Sequence, residues 1–164
     1  MDLPSIIMAL GILIPIAALF LYFQRKQRNE QNKARLHVDK LGKEKGLTFS
    51  LYEFWGSGYA IGLDTSKKVL FYLYSVAGKE EYSLVNLADV ERCTVINDHR
   101  NVNENRVIDQ IRLSFTFKGS RAHQSLLFYD KETNLSFTNE LLLAEKWKSI
   151  VCSNISTSKL VDAC

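Results

Sequence analysis

From Leu3 to Phe23 the chain runs 21 residues without a charge, and this constrains it more than any other feature. A helix rises about 1.5 Å per residue, so the run reaches roughly 31 Å, enough to cross a hydrocarbon core of about 30 Å. Pro4 falls at the helix start, where its missing N–H costs little. Pro15 predicts a local kink, which lipid-embedded helices tolerate. Tyr22 and Phe23 stand at the exit, where aromatic side chains suit the interface. A cleaved export signal would have a positive start, a shorter apolar core and a small-residue cleavage site. Here no lysine or arginine precedes Arg25, and the run passes into LYFQRK. The run has no cysteine to carry a lipid, and it is too long and uniform for a buried core helix. The expectation is an uncleaved transmembrane anchor over residues 1–23.

The next segment sets direction. Residues 24–46 hold eight Lys/Arg against three Asp/Glu, a net of +5, beginning with Arg25, Lys26 and Arg28. Such a flank stays cytoplasmic. The reading is therefore a single-pass protein of the cytoplasmic (inner) membrane, with its N-terminus outside and its C-terminal domain in the cytoplasm. Arg25, Lys26 and Arg28 are expected to meet anionic head groups, at around 1 kcal/mol per cation near the surface. Three unpatterned cysteines, Cys93, Cys152 and Cys164, read as reduced thiols. Nucleic acid is not an expected partner. The whole chain is +3, the flank supplies +5 and Asp2 takes one charge away, which leaves residues 47–164 at −1.

Residues 24–46 lack proline and are rich in helix formers, so the helix is expected to continue as a basic juxtamembrane stalk to Gly42 or Gly46, with Asp39 and Lys43 as an i,i+4 pair. Leu36, Val38 and Leu41 are too few for a confident coiled coil. Residues 47–156 are the size of one domain and contain no proline. Seven strands are predicted: LTFSLYEF (47–54), YAIGLD (59–64), VLFYLY (69–74), EYSLV (81–85), DVERCTVI (89–96), VIDQIRLSFTFK (107–118) and HQSLLFYD (123–130). NDHRNVNENR (97–106) reads as a long polar loop. After Thr138 the period becomes helical, with Leu143, Trp147, Ile150 and Val151 on one stripe, and Thr138 or Asn139 is the candidate cap. Residues 157–164 read as a frayed tail.

The fold class is α+β, mostly β: seven antiparallel strands in a bent sheet or partly open barrel, capped by one C-terminal helix. With Trp147 in the middle of that helix, the plan resembles the pleckstrin-homology-like fold. SLVNLADVERCTVI and the hairpin GLDTSKKVLFYLY resemble the small membrane-tethered pleckstrin-homology-like proteins of bacteria. Another small barrel with a terminal helix, or a half-open lipocalin-like sheet, would fit the same pattern. Lipid-binding members of the resembled superfamily grip phosphoinositides with Lys and Arg around the first hairpin. This chain has WGSG there, with Glu53 on the first strand, and its nearest cations are Lys67 and Lys68 at the next turn. The resemblance therefore implies peptide docking beside the helix and an exposed strand edge, not phosphoinositide capture.

Catalytic and metal patterns are weak. His37, His99 and His123 stand apart, with no ligand at metal spacing. Ser57 in GSG lacks a nucleophile elbow, and Asp98-His99-Arg100 lies in the Asn-rich stretch with no oxyanion partner. Cys93 reads as a small buried hydrophobe. No enzyme activity and no cofactor are expected. Candidate partner contacts are Trp55 and Tyr59 at the first turn, together with His99, Arg100, Asn101 and Arg106. The expected function is a membrane-anchored interaction module that docks a protein or assembles a complex. The alternative is a tethered domain that binds or senses a small molecule or lipid. The inward set Phe49, Phe71, Phe115, Phe117 and Trp147 predicts a filled interior, which favours docking.

Overall fold

The computed structural model describes residues 19–22, 34–56, 58–76, 79–102, 105–119, 123–133 and 137–155. The chain forms two units, Met1–Leu41 and Gly42–Cys164. Residues 19–22 and 34–44 are helical, and Arg35 pairs with Asp39 one turn on, at 4.0 Å. Most of the apolar run, the cations Arg25, Lys26 and Arg28, and the tail 157–164 lie outside the described residues. Among the described residues no helix is long and apolar enough to cross a membrane.

The expected helix stop at the glycines has a defined geometry. Leu47 N–H donates to Gly42 O (2.7 Å) and Gly46 N–H to Lys43 O (2.9 Å), with Gly46 at φ +71°. This is a Schellman stop, and it needs a residue that tolerates positive φ.

Among the described residues there are seven strands in two antiparallel sheets and one C-terminal helix. Strands β1 (Leu51–Trp55), β2 (Tyr59–Asp64), β3 (Val69–Val76) and β4 (Lys79–Asn86) form the first sheet in sequential order. The second holds β5 (Val90–Val102), β6 (Asn105–Phe117) and β7 (His123–Asp130), and the C-terminal helix spans Glu140–Asn154. Inward residues of both sheets build one core with the helix: Ile61, Leu63, Leu70, Leu113, Phe115, Phe128, Ala144, Trp147 and Val151 are fully buried.

The register corrects four expectations. β1 begins at Leu51, not Leu47, because Thr48 N–H bonds to the Asp64 carboxylate (2.8 Å) instead of a ladder partner. Leu51 is exposed, so it does not share a buried face with Leu47. Phe49 and Phe71 are not inward. Phe71 pairs with Gly62 and Leu84, on the face opposite Leu70 and Tyr72, and the Phe49 ring lies 5.3 Å from it. All six residues of β2 are buried, so the first sheet is covered on both faces there. The polar stretch 97–106 is not a structureless loop. β5 runs on to Val102 and β6 starts at Asn105, with Arg100 opposite Val107 and Asn101 opposite Arg106. Finally, Asn139 holds the N-cap position without a side-chain bond, and the Glu140 carboxylate instead accepts from Thr138 N–H (2.7 Å).

Three bulges bend the second sheet. Glu91 in β5, Asp109 in β6 and Phe128 in β7 are the extra residues where the register shifts. The bulge at Phe128 turns Phe128 and Tyr129 into the core together, which an unbroken strand cannot do.

Candidate functional site

The end of the sandwich near the first turn is built from aromatic rings. Trp55 stacks between Tyr59 (centroids 5.4 Å) and Phe128 (4.7 Å), with Tyr72 beside it at 6.3 Å. Its indole N–H donates to Phe128 O (2.9 Å), and Tyr72 O–H donates to Leu127 O (2.5 Å). Those consecutive carbonyls belong to the β7 bulge. The bulge thus frees two acceptors from the sheet ladder, and two aromatic donors of the first sheet take them. Burial pushes the Tyr72 hydroxyl well above the usual phenol range, with Tyr59 and Tyr74 adding to the shift. Tyr59 is 2 % exposed and belongs to the core, not to a contact surface, and Trp55 is half-buried as a strut between the sheets.

A second tie joins β1 to the C-terminal helix. Trp147 N–H donates to Glu53 Oε2 (2.9 Å) and Lys146 Nζ to Glu53 Oε1 (2.7 Å). Glu53 was legible only as an acid on the first strand. In the fold it is the acceptor that satisfies an indole 1 % exposed.

The remaining sequence candidates come together. β7 pairs with β6 only from Gln110 to Thr116, so residues 99–102 and 105–109 form a two-stranded ribbon beyond it. His99, Arg100, Asn101 and Arg106 are all exposed there. Arg106 Nη2 lies 3.2 Å from His99 Nδ1, and Arg100 pairs with Asp109 at 3.2 Å. Arg112 pairs with Asp98 near the ribbon's base, where Asn97 Oδ1 and Arg112 Nε are buried without a hydrogen-bond partner among the described residues. Cross-strand ion pairs accompany the ribbon and its base, and its polar side chains are displayed on a strand pair instead of a loop. None of the ring contacts of Trp55 reaches it, so the six candidates form two groups.

Lys67 Nζ donates to Gly46 O (2.5 Å), and Lys68 adopts φ +55° in the turn after β2. Cys93 is fully buried, and burial pushes its thiol up to about 12, with Glu145 adding to the shift and Lys148 opposing it. Cys164, the third cysteine, lies outside the described residues. Among the described residues no three His, Cys, Asp or Glu side chains converge as metal ligands. No family model, no curated protein and no solved structure matches the chain.

Proposed function

We propose that this chain is a single-pass, membrane-anchored interaction module, whose pleckstrin-homology-like domain docks a protein at the cytoplasmic face and acts without catalysis. The β5–β6 ribbon carries the docking reading. It displays His99, Arg100, Asn101 and Arg106 on a braced strand pair outside the core. Two sequential sheets closed by a helix with a buried Trp147 support the pleckstrin-homology-like reading. The uncharged run 3–23 and the +5 flank support the anchor and its direction. The side of the membrane rests on the charge flank. Tethering confines the domain to a thin layer and raises its effective concentration for membrane partners, so a modest affinity suffices.

Lipid or small-molecule binding is the second reading. Against it stands an interior occupied by Trp147, Phe115, Phe128 and Tyr59, all buried. The test is a pull-down of the full-length chain, tagged after Cys164, from gently solubilised membranes. A stoichiometric protein, lost on the double change Arg100→Glu and Arg106→Glu, is the expected result. Co-purified lipid without protein would move the second reading to the front.

A further inference from the structure

We propose that the β5–β6 ribbon grips a carboxylate of its partner with the Arg106 guanidinium, beside His99 and Asn101, so that the docked protein segment is an acidic one. This rests on the docking reading and names the chemistry of the segment that docks.

The gripping face follows from the register. His99 stands opposite Ile108, Arg100 opposite Val107 and Asn101 opposite Arg106. Successive side chains of a strand alternate between faces. His99, Asn101 and Arg106 therefore share one face of the ribbon, and Arg100 lies on the other. All three residues of that shared face are exposed.

Charge then separates the arginines. Arg100 pairs with Asp109 at 3.2 Å, and Arg112 pairs with Asp98. Among the described residues Arg106 meets no carboxylate, and its Nη2 lies 3.2 Å from His99 Nδ1 instead. An arginine only donates, so Nδ1 is the acceptor and the neutral ring carries its proton on Nε2. Asn97 O lies 3.3 Å from the same Nδ1, but two acceptors make no bond. A guanidinium has more N–H groups than one imidazole nitrogen can accept, so Arg106 keeps donors to spare. The His99 Nε2–H and the Asn101 amide add neutral donors on the same face. One cation flanked by donors calls for an anionic acceptor.

The amount of charge chooses the anion. A carboxylate carries a single charge and matches one guanidinium in fork geometry. A phosphorylated side chain brings about −2 and needs a second cation. Arg100 and Arg112 are already matched by aspartates and do not supply it. Nucleic acid and an anionic bilayer fit poorly by the same count. From Asn97 to Arg112, three arginines stand against Asp98, Glu104 and Asp109, so no broad positive field surrounds Arg106.

The test places the full-length chain, in nanodiscs of uncharged phosphatidylcholine, on immobilised pools of random short peptides. The pools differ at one fixed central residue: Glu, Gln or phosphoserine. The Glu pool is expected to retain about fivefold more chain than the Gln pool, the upper range for an exposed charge pair. Arg106→Gln is expected to erase that difference. Arg100→Gln, on the opposite face, is expected to keep it, with the far-ultraviolet circular dichroism of both variants unchanged. Equal retention by the Glu and Gln pools, a preference that survives Arg106→Gln, or strongest retention by the phosphoserine pool would each overturn the proposal. The membrane pull-down separates it from the docking reading. A captured protein that binds Arg106→Gln as well as the native chain leaves docking standing and overturns the carboxylate grip. No captured protein, with the Glu pool still selected through Arg106, counts against the docking reading alone.

Discussion

Three residues have consequences that single substitutions can measure. Glu53 accepts from the Trp147 indole and from Lys146. Glu53→Gln keeps an acceptor for the buried N–H and loses only a half-exposed ion pair, so it should cost no more than about 1 kcal/mol. Glu53→Ala leaves the indole unsatisfied and should cost about 1–3 kcal/mol. Denaturant midpoints of the two variants check the order, and equal losses would mean that the Trp147 bond contributes little. Asp64 tests the turn after β2. Its carboxylate accepts from Ser66 O–H (2.6 Å), Thr48 N–H (2.8 Å) and Lys67 N–H (3.0 Å), and these bonds pull its pKa down to about 2. A folded pKa below the unfolded value of about 3.9 gives stability that is present above pH 4 and lost as pH falls towards 2. Asp64→Asn should therefore be less stable at neutral pH, by about 2 kcal/mol, and the gap to the native chain should close by about pH 2. Gly58 is a case of space: a Cβ there would lie 1.8 Å from Ser75 O. Gly58→Ala must break the start of the β2–β3 pairing, so its thermal midpoint should fall by more than that of Gly119→Ala, where a Cβ meets nothing within 4 Å and only the positive φ is strained.

At the scale of elements, the β7 bulge explains how two sheets with no shared ladder are joined. Tyr72 and Trp55 reach across to the carbonyls that the bulge releases. Tyr72→Phe removes one donor and should cost about 1 kcal/mol at neutral pH. The folded chain holds the Tyr72 hydroxyl neutral while an unfolded chain ionises it near pH 10, so the stability it supports is present below pH 10 and drains away above it. The alkaline fall in stability should be shallower in Tyr72→Phe than in the native chain, as urea midpoints between pH 9 and 11 would register. Period-two alternation made each strand legible, because one face of each lies on the core. The bulges were not legible, because a single extra residue leaves the local pattern intact and only the partner strand reveals it. The ribbon was misread for a related reason. Asn97 to Arg106 has no apolar face to advertise a strand, and the pairing there comes from continuation of the β5–β6 ladder and the ion pairs of Arg100 and Asp98. VLFYLY advertised burial on both sides but not which element covers each face, so Phe71 was placed inside when it packs outside with Phe49.

For the whole molecule, two properties of the sequence act at different distances. Burial patterns fix contacts within the domain and are visible in the fold. Charge next to an apolar run sets orientation where a chain crosses a bilayer, and here the residues that would carry it lie outside the described residues. Of the candidate contacts, Arg25, Lys26 and Arg28 would belong to this second kind, whereas Trp55 and Tyr59 belong to the first. The orientation proposal therefore needs its own measurement. A reporter fused after Cys164, active only in the cytoplasm, should be active on the native chain. Changing Arg25, Lys26 and Arg28 to Glu takes the flank from +5 to −1 and removes the Lys/Arg excess nearest the apolar run. If that excess sets direction, a substantial fraction of the altered chain should insert with the reporter on the far side, and reporter activity per membrane-bound chain should drop several-fold. Unchanged activity would mean that folding of the domain before insertion, or the cations from Lys33 to Lys45, holds it in place. An inactive reporter on the native chain would put the domain outside and overturn the orientation.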